Sequence, residues 1–197
     1  MHAPIAAAPS PWVTGFAHLL PAGGHVLDLA CGGGRHLRWL VQHGFKVTGV
    51  DRDVDAVEPL RATAEIIVAD LEGAPWPLGD RRFDGIVVTN YLWRALLPRI
   101  AAALAPGGVL IYETFADGQE HFGRPSRPEF LLARGELLRA FADLQVVAFE
   151  EGLEADPDRC VQRIVALAPG PTGGTGPAAK IDALRPLRPH RQSPLKT

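Results

Sequence analysis

Cysteine is nearly absent from this chain, with Cys31 and Cys160 the only two among 197 residues. Two thiols are too few for a disulfide framework, and no paired Cys/His spacing of a structural zinc site accompanies them. A reducing compartment, the cytoplasm, is therefore expected. An excess of positive charge is also lacking, since 20 basic and 22 acidic residues leave a formal charge of −2. The balance is uneven along the chain. From Pro169 to Thr197 five Lys and Arg stand against one Asp, so residues 1–168 hold 15 basic and 21 acidic side chains, a formal −6. Nucleic acid is thus disfavoured as a partner of the folded part. No run approaches the about 18 apolar residues needed to span a bilayer, and the opening MHAPIAAAPSPW has no basic start followed by a long apolar core. Neither secretion nor membrane insertion is expected.

The chain does have the composition of one globular domain, 47% hydrophobic and 21% charged. From His25 onward, short apolar runs alternate with stretches of helical spacing, the order of an α/β chain that crosses back through helices into a mostly parallel sheet. The runs His25–Ala30, Lys46–Val50, Ile66–Ala69, Phe83–Thr89 and Val109–Thr114 read as strands. Helices are expected over Arg35–His43, from Asp53 through Leu60, over Leu92–Leu104 and near Glu136–Phe141, with Gly44 closing the first. Residues 71–82 and 115–128 read as loops, the second long enough to be a functional lid. Leu144–Phe149 and Cys160–Ala168 read as an antiparallel pair at one sheet edge. The domain is thus placed at 1–168. The last 29 residues, with six prolines and four glycines, are expected to be a disordered basic tail.

The strongest chemical signal is Val26-Leu27-Asp28-Leu29-Ala30-Cys31-Gly32-Gly33-Gly34-Arg35-His36. A strand that turns through glycines into a helix presents backbone N–H groups to a ligand, with the helix start favouring an anionic group. The dinucleotide pattern Gly-x-Gly-x-x-Gly fails here because Leu37 stands where the third glycine should be. What fits is an acid followed by small residues at every second place: Asp28, Ala30, Gly32 and Gly34. Acids then close the next two strands, Asp51 after Val50 and Asp70 after Ala69.

This succession resembles the class I S-adenosylmethionine-dependent methyltransferases over residues 25–115. The resemblance implies a Rossmann-like, doubly wound, mostly parallel seven-stranded sheet with an antiparallel last strand, and S-adenosyl-L-methionine as cofactor. It implies that Ala30, Gly32 and Gly34, with Asp28 beside them, take the methionine part and that Asp51 takes the ribose hydroxyls. Asp70 and Leu71 are matched to the adenine, and Asn90 to the neighbourhood of the reacting methyl. Leu104-Ala105-Pro106-Gly107-Gly108 is similar to the family's lead into the fifth strand, whereas Ala30 departs from the glycine usual at that place. Glu113-Thr114-Phe115-Ala116 and Phe122-Gly123-Arg124-Pro125 look like a small bacterial group related to the tellurite-resistance methyltransferase.

Methyl transfer is an in-line displacement that depends mainly on alignment and exclusion of water. Asn90, Tyr91, Glu113, His121 and Arg124 are the candidates for the acceptor side, with His36, Glu113 and His121 as possible bases. No metal is assigned. A small-molecule or small-oxyanion acceptor is expected, since Thr89-Asn90-Tyr91-Leu92 is not the Asn/Asp-Pro-Pro-aromatic run of amino-methylating enzymes acting on bases. The alternatives are a non-catalytic S-adenosylmethionine-binding or regulatory subunit and, third, an NAD-dependent oxidoreductase.

Overall fold

The computed structural model describes residues 8–170. Its strands are β1 (His25–Leu29), β2 (Lys46–Asp51), β3 (Glu65–Val68), β4 (Phe83–Thr89), β5 (Leu104–Phe115), β6 (Gln145–Glu154) and β7 (Arg159–Leu167). They form one sheet in the order β3-β2-β1-β4-β5-β7-β6. Strands β1 to β5 pair in parallel, and β7 runs antiparallel to both of its neighbours. The expected fold class is therefore observed, including the single reversed strand and the late antiparallel pair. Because β2 and β4 lie on opposite sides of β1, the winding reverses there and opens a crevice at the carboxyl ends of the strands.

The helices are α1 (Pro11–Phe16), α2 (Arg35–Gln42), α3 (Val54–Val57), α4 (Leu97–Ala102) and α5 (Glu136–Ala140). Alternation along the strands separates two cores. Leu27, Ile86, Val88, Leu110 and Tyr112 face α4 and α5, while Val26, Val87, Val109 and Ile111 face α1 and α2. The sheet is covered on both faces, which is why its central strands are apolar throughout.

Several boundaries differ from the sequence reading, each for a local reason. The helix expected over Leu92–Leu104 contracts to a 3₁₀ turn, Arg94–Leu96, followed by α4, because Leu104 already pairs with Phe83. A bulge then carries the register to Gly85 opposite Val109, so Pro106-Gly107-Gly108 is absorbed within β5. The helix expected through Leu60 divides into α3 and a 3₁₀ turn, Glu58–Leu60, in keeping with the missing N–H of Pro59. Helix α1 and the 3₁₀ turn after it, Ala17–Leu19, are additional to the expected elements. Their start was legible: Ser10 caps α1 by accepting from the Trp12 amide, and Pro11 occupies its first turn. The expected basic tail lies, beyond Gly170, outside the described residues. No helix among the described residues is long and apolar enough to cross a membrane.

Candidate active site

The loop after β1 is wound by three residues in the left-handed region: Ala30 (φ 55°), Gly32 (φ 49°) and Gly34 (φ 72°). Gly34 leads directly into α2 with a positive φ, and a Cβ built on it would lie 2.5 Å from Leu60 Cδ1, so a side chain there is strained and must displace the Leu60 methyl groups. The Cys31 amide donates to the Val50 carbonyl at 3.0 Å, and the Gly32 amide to Asp51 Oδ2 at 2.7 Å. The loop is thereby tied to the end of β2. The other Asp51 oxygen accepts from the Asp53 amide at 3.0 Å.

Leu37 explains why this loop is not the dinucleotide one. It is fully buried, and a Cβ on Gly49 of β2 would approach its Cδ1 to 2.7 Å. The space that a helix glycine would leave is here provided by a strand glycine.

Asp28 lies under the start of α2, buried to 1% exposure, where the Leu37 amide donates to its carboxyl. Burial, with the Asp51 charge adding, pushes its pKa up to about 7 against the opposing influence of that amide and Arg35. Its Oδ2 has no partner among the described residues. Asp70 is exposed at the end of β3, and its Oδ1 accepts from the Glu72 amide at 2.9 Å. Cys31 is buried, which raises the pKa of its thiol far above the ordinary value and removes it as a nucleophile.

These strand ends converge on a cleft of about 130 Å³ lined by Ala30, Asp51, Arg52, Ala69, Asp70, Leu71, Glu72 and Tyr91. Five residues expected in the site, Ala30, Asp51, Asp70, Leu71 and Tyr91, are thus brought to one cavity, and Gly32 joins them through Asp51. Arg52 and Glu72 line it as well; standing next to the strand-end acids, they were within reach of the sequence reading. Tyr91 is half-buried, its hydroxyl is enclosed without a partner among the described residues, and its pKa is raised by burial and by Glu72 and Asp70. Its carbonyl accepts from the Tyr112 hydroxyl at 2.9 Å. Asn90 beside it adopts φ 54°, and its amide donates to the Glu113 carbonyl at 2.9 Å.

The remaining acceptor-side candidates are dispersed. Glu113, at 1% exposure, is in register with Thr89 and sits 2.6 Å from Arg163 Nε and 3.8 Å from Arg159. Its Oε1 accepts from the Ser10 hydroxyl at 3.1 Å. Arg163 also meets Glu154 and Glu150, so Glu113 is the buried end of an ion cluster that runs out to the surface. His121 and Arg124 are exposed on the segment after β5, where His121 stands 3.6 Å from Glu120. That segment is anchored below them by buried Gln119, which accepts from the Cys160 amide at 2.9 Å. His36 is buried at the second position of α2. Its Nε2 accepts from the Ser10 amide at 3.0 Å, which leaves the ring proton on Nδ1, 3.3 Å from Thr89 Oγ1. Burial and the neighbouring Arg35 lower its pKa to about 4.

A family described as Methyltransferase domain matches residues 26–108, from β1 to the bulge of β5. The chain is 34% identical over 119 residues to a trans-aconitate 2-methyltransferase of Paracidovorax citrulli, covering 55% of this chain and 45% of that protein. A protein of the same description from Delftia acidovorans is 30% identical over 148 residues, with 68% and 55% covered. This chain belongs to the class I S-adenosylmethionine-dependent methyltransferases. The cofactor of that family is S-adenosylmethionine. TehB from Haemophilus influenzae has the same fold, with a TM-score of 0.67 at 20% identity over 79% of this chain and 61% of that one. The chain spans about half the length of the curated relatives it matches.

Proposed function

We propose that the chain transfers a methyl group from S-adenosylmethionine to a small anionic acceptor. The observation that carries this reading is the convergence of three successive strand ends on one cleft, with Ala30, Asp51 and the pair Asp70 and Leu71 in its walls. Asp51 is the acceptor for the ribose hydroxyls, Asp70 for the adenine amino group, and Leu71 packs beside the base. Ala30, Gly32 and Gly34 let the backbone approach the methionine part, while Asp28 holds the start of α2 from below. Bound there, the cofactor's sulfonium supplies an electrophilic methyl group.

The chain's own residues then orient the acceptor and exclude water. Asn90 and Tyr91 stand at the end of β4, next to the cleft, and His121 and Arg124 offer donors to an anion from the segment after β5. Two candidate bases are already engaged: Glu113 by Arg163, Arg159 and Ser10, and His36 Nε2 by the Ser10 amide. That engagement favours an acceptor that arrives deprotonated, such as a carboxylate. The named activity of the Paracidovorax and Delftia relatives supports the same class.

The test is calorimetry with S-adenosylhomocysteine and with NAD, followed by transfer of labelled methyl to a panel of small carboxylates that includes trans-aconitate, with the corresponding uncharged esters as controls. Binding of S-adenosylhomocysteine and label on a carboxylate are expected. Binding with no transfer to any member of the panel favours the second reading, a non-catalytic S-adenosylmethionine-binding subunit.

A further inference from the structure

Ser10 lies between two prolines, so its amide is the one backbone donor of residues 9–11. That donor is spent on His36 Nε2, and the Ser10 hydroxyl meets Glu113. Trp12, two residues on, lies with its ring 5.8 Å from the Arg163 guanidinium. Leu20 closes the segment on the sheet: a Cβ on Gly85 of β4 would come within 2.2 Å of its Cδ2. The N-terminal segment is therefore fastened to the α1 face of the sheet at both its ends.

The position of the fastening is informative. Thr89 is the last residue of β4 and Glu113 its partner on β5. These are the strand ends immediately before Asn90, on the opposite side of β1 from Asp51 and Asp70. His36 follows Gly34 by two residues, so the group that holds Ser10 is carried by the first turn of the helix that the glycine loop starts. Ser10, His36, Thr89 and Glu113 are all at most 9% exposed.

We propose that Ser10 latches the N-terminal strap, residues 8–16, over the acceptor side of the β4 and β5 ends, and that His36 is the positioning residue coupling this latch to the cofactor loop. The proposal rests on the reading of that loop as the cofactor site. A ligand that fixes the glycine loop fixes the first turn of α2, and with it the acceptor atom on which the Ser10 amide depends. Cofactor thus holds more firmly a strap that is already in place, and the strap forms one wall of the acceptor space. His36 acts through Ser10 and touches neither cofactor nor acceptor.

The experiment follows the Ser10 amide of the ¹⁵N-labelled chain by NMR hydrogen exchange, with and without S-adenosylhomocysteine at about one hundred times its dissociation constant. Up to about one-hundredfold slower exchange is expected on binding, because ligand that favours the closed arrangement suppresses opening by that ratio. In His36→Leu, Ser10 exchange should be fast and indifferent to ligand, and because the coupling is reciprocal the calorimetric affinity should fall by at least the factor by which ligand slows that exchange in the unaltered chain. His36→Gln, which can still accept from Ser10, should restore part of both the protection and the ligand dependence. Measurable binding with unchanged Ser10 exchange in the unaltered chain overturns the latch, as does equal protection in His36→Leu. No binding heat at all overturns the cofactor reading instead, and the coupling falls with it.

Discussion

The Gly32 amide donates to the Asp51 carboxylate at 2.7 Å, so the acid at the end of β2 also holds the glycine loop of β1. Asp51 consequently has two tasks that different substitutions separate. Asp51→Ala should lower S-adenosylhomocysteine affinity by roughly ten- to one-hundredfold and also destabilise the fold by about 1–3 kcal/mol through the unpaired Gly32 amide. Asp51→Asn keeps an oxygen for Gly32 and should recover most of the stability but little of the affinity. Calorimetry and urea unfolding of both variants decide it; full affinity in a folded Asp51→Ala protein removes the ribose assignment.

Tyr91→Phe deletes a hydroxyl that is enclosed without a partner among the described residues. Stability should therefore hold or rise by about 1 kcal/mol, whereas affinity for S-adenosylhomocysteine should drop by roughly three- to tenfold as a ligand hydrogen bond is lost. Thermal melts with and without ligand separate the two effects. An unchanged ligand-induced shift would leave Tyr91 as a wall of the cleft only.

Acidification acts on two buried groups in opposite senses. Asp28 has its folded pKa raised to about 7 from an ordinary 3.8, so its contribution is present below about pH 4 and lost as pH rises to about 7. His36 has its folded pKa lowered to about 4 from 6.5, so its contribution is present above 6.5 and lost as pH falls to about 4. The two slopes largely cancel in the unaltered chain. Asp28→Asn should uncover the His36 slope, with stability increasing by about 2–3 kcal/mol from about pH 4.5 to about pH 7, and His36→Gln the reverse. Urea midpoints measured across that interval give the sign directly.

Glu113 is buried and pairs with the partly exposed Arg163, and removing the arginine leaves that carboxylate with only Arg159 at 3.8 Å and the Ser10 hydroxyl. Arg163→Met should destabilise by about 3–5 kcal/mol, and the double variant with Glu113→Gln by less than the sum of the two single changes. A double-mutant cycle by urea unfolding measures this coupling. Additive losses would mean that Glu113 is held by Ser10 and Arg159 instead.

His121 and Arg124 contribute to no wall of the cleft, so His121→Ala with Arg124→Ala should leave S-adenosylhomocysteine affinity nearly unchanged. Methyl transfer to the best carboxylate of the panel should decrease by about one-hundredfold if they position the acceptor. Unimpaired transfer would return both residues to exposed loop surface.

Much of this architecture was legible because it follows from local rules. Ala30, Asp51 and Asp70 announced the cleft through their places after successive strands, and alternation fixed the two cores. What was hidden depended on contacts remote in sequence. Nothing around Glu113 indicates that Arg163 and Ser10 will enclose it, and His36 looks like any helix residue until the Ser10 amide arrives from 26 positions away. The early end of α4 was likewise set by strand pairing, with Leu104 claimed by Phe83, against a helical propensity that extends further.

The packing of Leu37 on Gly49 bears on how such folds change cofactor. In the dinucleotide pattern a glycine of the helix allows the close approach to the strand, whereas here the strand supplies the glycine and the helix the leucine. A redesign toward dinucleotide binding must therefore alter both positions together. Leu37→Gly alone opens a hole above Gly49, and a side chain at Gly49 alone collides with Leu37, Cys31 and Ile66. Each single step passes through a damaged core, so this one contact is a barrier between neighbouring cofactor chemistries that selection or design has to cross in a single move.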